Sequence, residues 1–471
     1  STWVLTSYLV SNAIILPMSG WLASLLGRRN LLLLSVALFT ISSFLCGIAP
    51  DLTLLIFFRV FQGAGGGAMQ PISQAILLES FPHERRGLAM GIYGMGVVVA
   101  PIIGPTLGGW LSDALSWRWI FFINIPVGVI SIFLSALFIF DPPYLARHRR
   151  ANIKTDYIGI ALIVLGFGAL QVVLDKGQTD DWFASRFILG MATIAVVSLV
   201  VLVFWELTHE APIVNLRLLK ERNFAVSVLA MFMVGFILYG SILLLPIFLQ
   251  QLMGYSATLA GLVLSPGGLL TLALMPVAGA LVGRVDVRLL IITGLVIVAY
   301  SMFYMAGFNL QIDFWTAVTS RVIQSGGLAL LFVPINASAF YYVPREKTGQ
   351  GTGIINLLRN IGGSSGIAFV TTLLARQAQS NRNLLIHTLT PLNPIYRQAI
   401  AGVRTALIQR GVSPALADHQ AQGLIGNVLT QQATVVAYVN IFRILGVIAL
   451  ILIIPMLFLK KSKGSAVPVE M

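Results

Sequence analysis

An all-α, polytopic membrane protein built from two repeated halves is the fold class this sequence predicts, and three observations predict it. Of its 471 residues, 57% are hydrophobic and only 10% charged, with a mean hydropathy of +0.89, outside the range of soluble domains. Apolar stretches long enough to cross a bilayer recur thirteen times, at residues 3–26, 31–49, 53–78, 88–111, 119–141, 157–174, 187–206, 223–250, 259–283, 289–308, 314–340, 350–375 and 434–459. The phrase Arg59-Val60-Phe61-Gln62-Gly63 returns as Arg321-Val322-Ile323-Gln324-Ser325. The same shift, 262 residues from 59 to 321, carries Gly65 onto Gly327, Pro82 onto Pro344, Gly87 onto Gly349, Gly91 onto Gly353 and Gly104 onto Gly366. Two alike halves of membrane helices describe a secondary transporter with its site between them.

The boundaries follow from the spans. Residues 1–141 form a first half, 142–222 a basic link with Pro142-Pro143 and two inserted helices without counterpart in the repeat, and 223–471 a second half. That second half includes the one sizeable hydrophilic segment, 376–433, where apolar positions recur at helical spacing and predict a short amphipathic hairpin outside the membrane. Pro246 and Pro266 fall within spans and are expected as hinges or broken-helix points. Thirteen spans put the two termini on opposite sides. For two matched halves this odd number leads us to expect a first helix missing upstream of Ser1.

Charge sets the orientation. Eighteen of the thirty lysines and arginines fall in loops on one side and three in the short loops opposite; five lie in the long segment 376–433 and four within spans. By the positive-inside rule the first side is cytoplasmic. The net charge of +13 is therefore topological, and nucleic acid is not an expected partner. Cys46 is the single cysteine, within a span, so an intrachain disulfide is excluded.

Four signatures carry a family resemblance. The turn from Gly20 through Ser24 to Gly27-Arg28-Arg29 resembles the cytoplasmic gate loop of the major facilitator superfamily, with Ser24 where an Asp is usual. Arg59 followed by Gln62-Gly63 is similar to the next signature of that superfamily. Ala100-Pro101 with Gly104-Pro105-Thr106-Leu107-Gly108-Gly109 resembles the antiporter signature of its drug exporters. A proline frees a backbone carbonyl there, and the glycines are expected to let a partner helix approach. Trp117-Arg118-Trp119 leading to Asn124-Ile125-Pro126 is typical of the fourteen-helix branch. Leu174-Asp175-Lys176-Gly177, Trp205-Glu206-Leu207 and Gly254-Tyr255-Ser256-Ala257 narrow the resemblance to the fourteen-helix drug:proton antiporter family of EmrB type. It implies a major facilitator fold with two pseudo-symmetric six-helix halves plus two inserted helices, whose first helix would carry the coupling Asp.

A charge deep in a membrane helix costs roughly 2.5–3.5 kcal/mol, so Arg59 is expected to face the bundle interior. With Gln62 it is the candidate coupling pair, lowering the pKa of the family's acid; a structural donor to carbonyls is the plainer role. Arg321, Arg359 and Arg443 are expected to be buried as well. Gln70, Gln74, Asn124, Gln324 and Asn336, with Arg321 and Arg359, are cavity candidates, although amides also bond helices together. Met233, Phe236 and Tyr239 suit a site for varied apolar ligands, or plain packing. All seventeen acids and five histidines fall in loops or at span ends, so no deep proton site is visible in this chain.

No phosphate-binding loop for ATP, metal-ligand cluster or catalytic set is present, so neither enzyme, cofactor nor metal is expected. The resemblance implies proton-coupled export of hydrophobic or amphipathic drugs across a bacterial inner membrane. In a Gram-negative cell it also implies a periplasmic adaptor of EmrA type and an outer-membrane channel of TolC type, for which 376–433 is a contact or merely a cap. Two rivals stand beside it: an exporter of one metabolite, such as a siderophore, and a transport-incompetent membrane scaffold or sensor.

Overall fold

The computed structural model describes residues 3–82, 85–141, 155–210, 212–387, 389–390 and 392–460, without the side chains of 98–99, 101–103 and 105–106. The basic link around Pro142-Pro143 and the tail after Lys460 lie outside the described residues. The helices are α1 (Trp3–Leu26), α2 (Arg28–Ile48), α3 (Leu52–Ser80), α4 (Arg86–Ala114), α5 (Trp119–Phe138, interrupted at Ile123), α6 (Tyr157–Lys176) and α7 (Arg186–Thr208). They continue as α8 (Arg222–Gln251), α9 (Ala257–Val282), α10 (Val287–Met305), α11 (Phe314–Ala339), α12 (Thr348–Ile386), α13 (Pro394–Gln409) and α14 (Pro414–Ile451). Eleven of the described helices are long and apolar enough to cross a membrane. With α4 and α12, of 29 and 39 residues, they coincide with the thirteen apolar stretches.

Local chemistry sets the helix starts. Asp51, Asp156, Ser256 and Asp313 each accept a hydrogen bond from a backbone N–H in the first turn of α3, α6, α9 and α11, satisfying a donor the helix leaves free. Gly27 turns α1 into α2 at φ +82°, a left-handed conformation that strains any residue with a Cβ. Arg28 then forms a buried ion pair with Glu79 of α3. Arg29 donates from its backbone N–H to Asp141 at 2.9 Å and from its guanidinium to the Ala136 carbonyl at 2.7 Å, fastening α2 to the end of α5.

Two expectations need correction, and a third is extended. The broken-helix reading of Pro246 and Pro266 does not hold, since α8 and α9 run unbroken through them. Segment 376–433 does hold the expected helical hairpin, α13 turning at Gly411 into the start of α14, but it is continuous with the spans on either side. α12 is prolonged to Ile386 because no helix breaker follows its apolar part, and α14 starts at Pro414, after Gly411 at φ +88°. Only α13 is added, packed on α14, and Asn381 of α12 donates to the Ala433 carbonyl of α14 at 3.1 Å. Arg443 is exposed rather than buried; its neighbour Phe442 packs on Phe308, beyond the end of α10, which places Arg443 near the outer helix ends. A guanidinium there reaches the interface without crossing the apolar core.

Arg404 of α13 and Asp418 of α14 form an ion pair at 2.8 Å, with side chains 46% and 51% exposed. Exposed pairs contribute little, so Arg404→Ala is expected to change stability by less than about 1 kcal/mol in a thermal melt.

Candidate transport site

Under the shift of 262 residues α1 corresponds to α9 and α4 to α12. Two seams between the repeats obey that correspondence at the cytoplasmic end. A Cβ at Gly20 of α1 would lie 2.8 Å from Gln350 Cα and 2.9 Å from the Gly349 carbonyl of α12. A Cβ at Gly353 would meet the Leu16 carbonyl at 3.2 Å. On the other seam Gly87 of α4 and Gly279 of α9 each face the other's carbonyl, 2.6 Å from where a Cβ would stand, and Gly91 faces Met275 at 2.7 Å. Backbone meets backbone on both seams, so the bundle is closed along them at the end that carries the basic loops.

Just above the seams lies a buried amide cluster. Gln74 of α3 donates to Asn336 of α11 at 2.6 Å and accepts from Asn356 of α12 at 2.6 Å. Gln74 and Asn336 are themselves related by the repeat shift, so this bond joins equivalent positions of the two halves. One turn along α3 from Gln74, Gln70 lines a cavity of about 350 Å3 together with Tyr8, Asn12, Phe39, Gln171, Tyr239 and residues of α12 between Leu357 and Ile367. Small-molecule sites have this size and this mix of apolar walls with few polar groups.

The lining is uncharged, but two guanidiniums stand directly behind it. Arg359, 2% exposed, donates to Gln70 at 2.6 Å and lies 5.9 Å from the Phe332 ring. Arg59 lies 4.4 Å above the Tyr8 ring, donates to the Val4 carbonyl at 3.0 Å and to Gln62 at 2.7 Å. Its repeat equivalent Arg321 is fully buried and donates to Gln324. The two amides then diverge: Gln62 donates to Ser43 of α2, Gln324 to Ser241 of α8 at 2.6 Å. Among the described residues no carboxylate forms an ion pair with these three arginines.

Several sequence candidates lie away from the cavity. Gln74, Gln324, Asn336 and Arg321 are sealed between helices. Asn124 donates to Ser43 at 3.2 Å, Phe236 packs on Phe369, and Met233, half-buried, packs against the core. Gln70 and Tyr239 do line it. Sequence reading missed Tyr8, Asn12, Gln171, Asn360 and Ser364; the polar residues among these, isolated in apolar spans, carry the signal that could have found them. Glu206 and Asp156, 0% and 4% exposed, lie together at the cytoplasmic end of the inserted pair.

The antiporter glycines depart from expectation. Nothing lies within 4 Å of a Cβ at Gly104, Gly108 or Gly109, and the Pro105 side chain is outside the described residues. In the second repeat the equivalent Gly366 packs on the Phe236 carbonyl of α8. Among the described residues no helix packs on Gly104, Gly108 or Gly109 in that way.

Comparison with known proteins places this geometry. The family model described as Major Facilitator Superfamily matches residues 1–367. The fatty acid resistance protein FarB of Neisseria gonorrhoeae is 36% identical over 463 residues, 98% of this chain and 88% of that protein. The multidrug export protein EmrB of Escherichia coli K12 is 35% identical over 465 residues, again 98% and 88%. The proton:xylose symporter XylE aligns with a TM-score of 0.60 at 15% identity over 98% of this chain and 86% of the other. The human organic anion transporter MFSD10 aligns at 0.58 and 12%, over 95% and 83%; both structures share the fold alone. The chain therefore belongs to the major facilitator superfamily of membrane transporters, among the relatives of the EmrB multidrug export proteins.

Proposed function

We propose that this protein exports hydrophobic and amphipathic compounds, preferring those with an anionic head group, across a bacterial inner membrane in exchange for protons. It is a multi-pass transporter and not an enzyme. The observation that carries the reading is the uncharged cavity between α1, α3, α8 and α12, closed toward the basic loops, with Arg59 and Arg359 behind its wall. A positive potential in an apolar chamber favours a lipophilic anion over a lipophilic cation. The name of the FarB relative, fatty acid resistance, agrees with that preference.

Residues 1–141 and 223–471 would rock about the cavity as two halves, with 142–222 inserted between them. The glycine seams would separate when the site opens inward, and Gly20 and Gly27-Arg28-Arg29 would form the inner gate. Arg59 and Gln62 would stabilise the charged form of a coupling carboxylate brought beside them. The prolonged α12 and α14 with α13 offer a periplasmic adaptor of EmrA type a contact, leading to a channel of TolC type.

The test is uptake into inverted vesicles energised with a proton gradient. A fluorescent long-chain fatty acid analogue is expected to accumulate saturably and to be lost with an uncoupler, and a lipophilic cation dye to accumulate less. Uptake of neither under an intact gradient sinks the export reading, whereas a dominant cation reverses the charge preference.

A further inference from the structure

The inserted helices have no counterpart in the repeat, yet one of them reaches the cavity. α7 packs on α6 and turns Val196, Val197 and Phe204 outward, whereas α6 lies against α1 of the first half and α12 of the second. Within the apolar run of α6, from Ile158 to Leu174, Gln171 is the one side chain with hydrogen-bonding groups. An amide in a membrane helix is costly without partners. Gln171 is 5% exposed, lines the cavity, and faces Ser364 of α12: its Nε2 donates to the Ser364 hydroxyl at 3.0 Å, which donates back to Oε1 at 3.2 Å. An amide has two donors and two acceptor lone pairs, and one hydroxyl uses one of each. The remaining N–H and lone pair are available to the cavity.

Further out, α6 is held by both halves. Asp175 accepts from the Thr6 hydroxyl and Lys176 lies 4.9 Å from the Trp3 ring, both on α1. Trp182, just past α6, donates to Thr372 of α12 at 3.1 Å. Rocking of one half against the other strains this double attachment, and the single Gln171–Ser364 pair lies at the level where a substrate would sit.

We propose that α6 is a third wall of the substrate site and that Gln171 is a specificity-determining residue. It releases Ser364 and hydrogen-bonds the polar head group of the substrate, a carboxylate or other oxygen acceptor. The inference rests on the export reading for the identity of the cavity, and its test separates the two.

Cys46 is buried and is the only cysteine, so Cys46→Ser supplies a nearly native background. In it Gln171→Cys is expected to react with a membrane-permeant maleimide, slowed at least about fivefold by the fluorescent fatty acid analogue at saturation. Asp180→Cys, in the exposed turn that follows the same helix, is expected to react without protection. No protection at position 171, or equal protection at both, overturns the proposal. In transport, Gln171→Leu is expected to raise KM for the fatty acid analogue about tenfold and leave Vmax and the cation dye unchanged. A uniform loss of Vmax for every compound makes Gln171 a helix fastener and overturns the proposal. Absence of transport by the unmodified protein sinks the export reading alone, because substrate protection still decides the role of α6.

Discussion

A leucine in place of Gly20 is expected to hold the cytoplasmic side open and reduce export by about tenfold to a hundredfold. The Cβ it introduces would sit 2.8 Å from Gln350 Cα and 2.9 Å from the Gly349 carbonyl, backbone atoms that cannot swing away as a side-chain tip can. α1 must then separate from α12, and the closed state of the inner gate is lost while the fold of each half persists. Gly349 lies across the same seam, but a Cβ there meets only the tip of Arg28 at 3.6 Å and Gly20 Cα at 3.9 Å. Gly349→Ala is therefore expected to transport nearly normally, where Gly20→Ala already slows. Ser19→Cys, at a position 1% exposed, reports the gate: it should be inert to a water-soluble thiol reagent in the Cys46→Ser background and reactive once Gly20→Leu is added. Normal efflux by Gly20→Leu, with Ser19→Cys still inert, would show that the seam does not have to close that tightly.

Most of the fold was legible in the sequence because its two signals, apolar length and a fixed repeat shift, do not depend on tertiary contacts. The thirteen stretches became helices, and the shift that pairs Arg59 with Arg321 also pairs Gln74 with Asn336, which meet directly at 2.6 Å. The site was less legible because hydropathy gives depth along a helix but not direction around it. Gln70 and Gln74 sit one turn apart on α3, yet the first lines the cavity and the second is sealed between helices. Which way each amide points is set by neighbours hundreds of residues away. The same limit explains Arg443: its place within an apolar span was plain, while its outward direction near the end of that span required the packing of Phe442 on Phe308. The two inserted spans were recognised as an interruption of the repeat, but nothing in a single sequence said that α6 would stand between the halves with Gln171 inward.

Gln74→Leu is expected to destabilise the protein and Asn336→Leu to do so by a similar amount, while the double variant loses far less than the sum. Gln74 alone joins α3 to both α11 and α12, through Asn336 and Asn356 at 2.6 Å each, and is 1% exposed. Removing it leaves the Asn336 carbonyl oxygen and one Asn356 N–H without that partner in a dry interior, at about 1–3 kcal/mol for each orphaned group. Asn336→Leu orphans a Gln74 donor instead. With both replaced, the orphans at that bond disappear and two apolar groups meet, so a coupling of at least about 1 kcal/mol should appear in a double-mutant cycle of thermal stability. The cluster is also the polar tie between the halves next to the glycine seams, inward of the Arg359–Gln70 bond, so it must break each time the site opens inward. Gln74→Leu is expected to make Ser19→Cys reactive without the steric wedge of Gly20→Leu, and the added Asn336→Leu change to restore its protection in part. Strictly additive losses of stability, with Ser19→Cys inert in all three proteins, would mean that the bond between these repeat-related amides contributes nothing to the closed gate.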